Sequence, residues 1–192
     1  MGALITWFSG LVEILQNALG GTYIYVTYLF GLGAMVFAIS SFQAKKRITI
    51  LIMQLIAHSF WTLYFTFNGA FVGAVLNLLS LLRCVVFSYK DKYKWAKSYV
   101  WLGFFIVATI VITILTWSKW YDVLPIIGTI ALTFGFYMTS EKHIRLLSLI
   151  GYPMWLSYGI CTASYVAIAN DGICFISLII SIIRFHLPKK EK

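Results

Sequence analysis

Acidic side chains are nearly missing from this sequence: six Asp and Glu stand against fifteen Lys and Arg in 192 residues, and charges of both signs make up 11% of the chain. A soluble domain normally carries about a quarter of its residues as charges, so this scarcity excludes a water-soluble fold. Cysteine is scarce too. Cys84, Cys161 and Cys174 lie in or beside apolar runs, with no Cys-x-x-Cys or paired-histidine spacing, which leaves no basis for a metal centre or a disulfide framework. They read as small buried hydrophobes. Gly-x-Ser-x-Gly, His-Glu-x-x-His and a phosphate-cradling glycine loop are also absent, and no two carboxylates fall together inside an apolar run. Catalysis is therefore not expected, and neither is a cofactor.

What fills the chain instead is hydrophobicity, 61% of residues with a mean hydropathy of +0.88. Crossing a bilayer takes roughly 20 apolar residues in a helix, and the runs support seven spans, 22–42, 48–66, 69–88, 98–117, 122–139, 144–161 and 164–186. The expected fold is all-α and integral to the membrane, one domain over 1–192. Turns at Asn68-Gly69 and Thr162-Ala163 make tight hairpins of spans 2–3 and 6–7.

Alternating sides at each span places Lys45, Lys46, Arg47, Arg83, Lys90, Lys92, Lys94, Lys97, Lys142, Arg145, Arg184 and the tail lysines of 187–192 on one face, with Lys119 alone on the other. Lys/Arg excess marks the cytoplasmic side, giving an N-terminus out and a C-terminus in. The basic balance is thus topological, and a nucleic-acid partner is not expected. Membrane lipid is the expected partner, and a homo-oligomer stays open. Residues 1–20 differ: Leu4, Phe8, Leu11, Leu15 and Leu19 form one stripe opposite Thr6, Ser9, Glu13, Gln16 and Asn17, the pattern of an interfacial helix on the outer surface rather than a lid.

The apolar chain also repeats itself. Trp61-x-x-Tyr64 recurs as Trp155-x-x-Tyr158, 94 positions on, and Gly33, the charged turn at Lys45-Lys46-Arg47 and Asn77 have counterparts in Gly128, Glu141-Lys142-His143 and Asn170. Two three-helix units, 22–88 and 122–186, joined by the linker helix 98–117 would enter the membrane in the same sense, which makes the repeats parallel. Such repeats commonly hold a solute at mid-membrane on their interface, and a duplicated bundle can also be merely structural.

Polar residues inside spans pick out candidates. Gln54, His58, Trp61 and Phe65 share one helical face, matched by Ser148, Tyr152, Trp155 and Gly159. Polar groups at membrane depth need protein or water partners. For His58 helix-to-helix hydrogen bonding ranks above a substrate role, since Tyr152 stands in its place in the second unit. Asn77 and Asn170 lie at membrane depth, and Asp171 is an acidic residue inside a span away from its ends. Either Asp171 is a functional carboxylate, or span 7 starts later and Ala163 to Asp171 forms an outer loop. Arg83 and Arg184 read as snorkelling toward the membrane end. Ser40-Ser41 and Gln43 read as an interfacial terminus, and Pro153 as a site for a kink.

The segments GLGAMVFAISSFQAKKRITILIMQLIAHSFWTLYFTFNGAFVGAVLNLLSLLR and LPIIGTIALTFGFYMTSEKHIRLLSL, with the Trp-x-x-Tyr that follows, resemble the YgjV family of bacterial inner-membrane proteins over roughly residues 30 to 186. The resemblance implies a bacterial cytoplasmic (inner) membrane, multi-pass, and brings no substrate with it. The three-plus-one-plus-three plan is also similar to the SWEET and SemiSWEET sugar transporters and the nicotinamide riboside-type transporters. SWEET-like proteins place an asparagine of each repeat's third helix in the pocket, and Asn77 and Asn170 are the matching positions. The Pro-Gln kink motif of such repeats is missing.

These readings together predict a transporter or facilitator of a small, polar, uncharged solute held between the repeats. Trp61 and Trp155 would be its walls, with Asn77, Asn170, His58, Tyr152, Asp171, Gln54 and Tyr158 around them. The rival is a non-transporting assembly or regulatory protein whose polar stripe only fixes packing. An intramembrane or lipid-handling enzyme would need a competent acid or nucleophile near Asp171.

Overall fold

The computed structural model describes residues 2–117, 119–161 and 165–186. Among these residues the chain is all-helical and has no strand. Eight α-helices follow one another: α1 (Gly2–Leu19), α2 (Tyr23–Ser41), α3 (Arg47–Phe67), α4 (Phe71–Ser88), α5 (Tyr99–Thr116), α6 (Val123–Tyr137), α7 (Glu141–Cys161) and α8 (Tyr165–His186). Short 3-10 turns, Gly20–Thr22 and Trp120–Asp122, lead into α2 and α6. Every expected span coincides with one helix to within three residues at either end. The Thr162-Ala163 turn and the basic tail of 187–192 lie outside the described residues.

Among the described residues four stretches are long and apolar enough to cross a membrane: Thr6–Ser41, Arg47–Phe67, Trp120–Tyr137 and Tyr165–Phe185. Gly73–Ser88 and Tyr99–Leu115 are shorter apolar helices. Helix α7 stays continuous through Pro153. The connection from α3 to α4 is the tight turn the sequence predicts, because Gly69 adopts a left-handed φ of +68° that a side chain would disfavour.

Packing is strongest between chain neighbours: α2 against α3, α3 against α4, α6 against α7 and α7 against α8. Small residues let these pairs approach. A Cβ at Gly128 would meet the Gly151 carbonyl oxygen at 3.0 Å and Trp155 at 2.9 Å, and one at Gly151 would meet Leu132 at 2.7 Å. Gly73 sits as closely under Phe65, at 2.8 Å. The two trios then meet crosswise, α2 on α8, α4 on α6 and α3 on α7, while α5 packs on α4 and α6. Helix α1 touches α2 and α3, with Phe8 buried and Trp7 and Ile14 exposed.

The crossing is sealed at one end of the bundle by cations. Arg47, in the first turn of α3, donates through Nε to the Met138 carbonyl (2.6 Å) and through Nη2 to those of Phe136 (3.0 Å) and Phe87 (2.9 Å). Its Nη1 pairs with Asp91 at 2.8 Å. Arg145, in the first turns of α7, reciprocates by donating to the carbonyl of Phe42 (3.4 Å), which caps α2, and to that of Ala44 (2.6 Å) in the turn just beyond it. Lys90 Nζ reaches the Tyr137 carbonyl at 2.5 Å, and burial, helped by the Arg47 guanidinium, holds it below the ordinary lysine range. The last carbonyls of a helix have no intrahelical donor, and cations are favoured beside them. Each middle helix thus caps the first helix of the other trio.

This end of the bundle is where the basic residues gather, with two corrections to the sequence reading. Arg83 does not snorkel: its side chain is 3% exposed, turned into the bundle. Ser41 and Gln43 are more than a helix terminus, since Gln54 Nε2 donates to Ser41 Oγ (2.8 Å) and Gln43 Nε2 to the Ser177 carbonyl of α8 (2.9 Å). Cys84 and Cys174 are buried as expected, whereas Cys161 is exposed.

Two outcomes follow for thermal unfolding in detergent, read by tryptophan fluorescence. Gly151→Ala lowers the midpoint, by an overpacking cost of about 1–3 kcal/mol, while Gly103→Ala, whose Cβ meets nothing within 4 Å, leaves it unchanged or raises it. Arg145→Met loses two charge-assisted bonds worth roughly 1.5–3 kcal/mol each and lowers the midpoint well beyond Arg184→Met, which removes an exposed guanidinium.

Candidate functional site

Above the arginine seal, between the trios, lies a cavity of about 200 Å³. Its walls come from every helix from α2 to α8, and it gathers eight of the nine residues singled out from sequence: Gln54, His58, Trp61, Asn77, Tyr152, Trp155, Asn170 and Asp171. They meet because a polar or amphipathic group on an apolar helix turns toward protein rather than hydrocarbon. Tyr158 is the exception. It packs its ring edge-on against Trp155 and Tyr121, at 6.2 and 5.9 Å between centroids, and does not line the cavity.

The polar lining forms a connected set. His58 Nδ1 donates to Asn77 Oδ1 at 3.0 Å across the α3–α4 interface, and Asn77 Nδ2 in turn donates to the Gly73 carbonyl (3.0 Å). The packing role expected for His58 is therefore present at a position that also faces the cavity. Tyr152, buried, packs its ring edge-on against Phe42 at 5.3 Å between centroids. Asn170 Nδ2 donates to Asp171 Oδ1 at 2.9 Å. Asp171 is 7% exposed and sits inside α8, which runs unbroken from Tyr165; the outer-loop alternative for this residue is set aside. Asp171 pairs with Asn170 and not with His58.

The aromatic walls differ in tightness. Trp61 is buried, stacked on Phe65 at 5.6 Å and edge-on to Tyr64 at 5.2 Å. Trp155 is half-buried, its ring edge wedged over Gly128.

Sequence reasoning missed Arg83. Its Nη1 donates to Thr133 Oγ1 at 2.6 Å, its guanidinium lies 5.2 Å from the Phe136 ring, and both Arg83 and Phe136 line the cavity. Nε has no hydrogen-bond partner. A signal was available: Cys84-Val85-Val86-Phe87 continue the apolar run for a full turn beyond it, deeper than a terminal snorkelling arginine needs. Ser80, Thr109 and Thr129, also in the lining, carried no such signal, because serine and threonine are ordinary in membrane helices.

Depth can be read from the topology. The starts of α3 and α7 lie together at the arginine seal, so α4 and α8 both begin at the opposite end. Arg83 is twelve residues into α4 and Asp171 six into α8, depths of about 18 and 9 Å at 1.5 Å per residue. The cavity therefore has a cation toward the sealed end and a carboxylate roughly 9 Å nearer the other end. Among the described residues no cluster of three or more His, Cys, Asp or Glu could hold a metal ion.

No curated protein and no solved structure matches the chain. A family model described as bacterial inner membrane protein, Imp-YgjV, matches residues 25–189. That range takes in α3 to α8 whole and all but the first residues of α2, and leaves α1 outside. With this match over most of its length and apolar helices suited to multi-pass insertion, the chain belongs to the Imp-YgjV family of bacterial inner membrane proteins.

Proposed function

We propose that the protein is a transporter or facilitator that binds a small polar solute between two parallel three-helix units, α2–α4 and α6–α8, with α5 as the linker. The observation that carries this reading is the cavity, lined from both units by Trp61, Asn77, Trp155 and Asn170. Small-molecule sites combine apolar walls with a few placed polar groups, and this lining does so. The volume suits a metabolite smaller than a drug-sized ligand. The crosswise contacts of α2 with α8 and α4 with α6 support a pseudo-two-fold along the membrane normal, the symmetry of parallel-repeat transporters. The SWEET-like analogy enters at this level, as an arrangement of helices with an asparagine in each third helix.

The lysines and arginines gathered at the arginine seal support an orientation with that face toward the cytoplasm. The cavity is then reached from the outer face, past Val166 and Ala167 in the first turn of α8. Passage inward requires the Arg47 and Arg145 bonds across the trios to break, so these two residues are the inner gate.

The second reading, a non-transporting assembly or regulatory protein, is favoured by the mutual satisfaction of His58 with Asn77 and Asn170 with Asp171. A thermal-shift screen separates the two. A solute present at a hundredfold its Kd stabilises by about 2.7 kcal/mol. In a panel of sugars, nucleosides, vitamins and amino acids, the transport reading expects a hit whose effect is lost in Asn77→Ala and Trp155→Ala. A hit that stabilises those variants as well as wild type puts the site elsewhere. A panel with no hit supports the assembly protein.

A further inference from the structure

Arg83 has a chemistry that the rest of the cavity leaves unanswered. A guanidinium stays charged in proteins and offers five N–H donors in a planar fork. Here one donor goes to the Thr133 hydroxyl, Nε has no partner, and the guanidinium also neighbours the Cys84 thiol, the Tyr152 phenol, the His58 imidazole and the Phe136 ring, none of them an anion. The ion pair among the described residues joins Arg47 to Asp91, at the seal. No carboxylate among the described residues pairs with Arg83. A buried charge without a counter-charge is costly, and Arg47 and Arg145 show where the same chain places the guanidiniums of the seal: on main-chain carbonyls at helix ends. Arg83 is placed on a side-chain hydroxyl beside open space.

We infer that the occupant of the cavity is a small carboxylate, whose anionic group pairs with Arg83 toward the sealed end while hydrogen-bond donors at its other end face Asn170 and Asp171. This rests on the transport-site reading above and narrows it, replacing the uncharged solute expected when Arg83 was placed at the membrane surface. The planar fork matches a carboxylate in two parallel N–H···O bonds. The roughly 9 Å between the depths of Arg83 and Asp171 leaves room for a short molecule with a hydroxyl or ammonium group at the far end. An acceptor-rich end at Asp171 repels a second carboxylate, so dicarboxylates are disfavoured.

The test compares matched probes on the purified full chain: L-lactate and glycine against lactamide and glycinamide, with succinate and inorganic phosphate as further arms. The inference expects a rise in unfolding midpoint with a monocarboxylate, none with its amide, and little with succinate. Arg83→Gln weakens the response roughly thirtyfold or more, as loss of one partner of a buried charge pair does, and Arg83→Lys weakens it less. The wild-type comparison of acid with amide decides even if Arg83→Gln fails to fold. Equal responses to acid and amide, or a neutral hit from the wider panel whose effect Arg83→Gln leaves intact, overturn the carboxylate while the transport site stands. A response to phosphate as strong as to the acids also overturns it, in favour of a general anion site. No response to any probe, with no hit in the wider panel, overturns both.

Discussion

The arrangement depends on how helix ends are satisfied away from water. The last carbonyls of α2, α4 and α6 have no donors of their own, and in an apolar surrounding each unpaired one is expensive. Arg47 supplies α6 from the opposite trio and α4 from its own, and Arg145 supplies the end of α2 from the opposite trio. Hydrogen bonds to charged groups are worth roughly 1.5–3 kcal/mol apiece, and a buried guanidinium in turn repays its desolvation only when its donors are used. Arg47 uses three carbonyls and one carboxylate. The exchange is reciprocal, so one seal holds two trios in register and leaves the space above it between them.

That geometry orders the cavity by depth. Nearest the seal are Arg83 and Phe136; farther from it, at matching positions six and five residues into α4 and α8, stand Asn77, bonded to His58, and Asn170, bonded to Asp171, with the indoles of Trp61 and Trp155 as walls. Glycine permits the close approach that keeps the trios compact: Gly128 and Gly151 face each other across α6 and α7 with no room for a methyl group. A seal at one end, a polar centre and aromatic walls are the parts the proposed transporter would use, and the seal is built from bonds that can be exchanged for water at the lysine-rich face.

Much of this was legible in the sequence, for particular reasons. Helix limits followed from apolar runs broken by Gly69 or by clusters of lysine. The cavity lining followed from residues such as Gln54, His58 and Trp61 at helical spacing, because in hydrocarbon a polar group has one tolerable direction. Asp171 stood out for the same reason, although sequence alone could not choose between helix and loop. What stayed hidden needed the register between helices. Arg47 and Arg145 looked like topological charges, and only the meeting of the trios, with α3 on α7, brings the carbonyls at the ends of α6 and α2 to them. Arg83 was misread because its place near the end of α4 suggested an escape to the surface, while the rotation of that helix points it inward. Tyr158 packs on Trp155 and Tyr121 instead of lining the cavity, while Tyr64, its counterpart in the first unit, does line it.

The central claim is a cavity between two trios, closed on the lysine-rich face and reached from the other. Labelling of Ala167→Cys, in a variant with Cys161 replaced by serine, by a membrane-impermeant maleimide on right-side-out and inverted vesicles tests it most directly. The account predicts reaction from the outer face alone. Reaction at equal rate from the lysine-rich face, or from neither face, would contradict it.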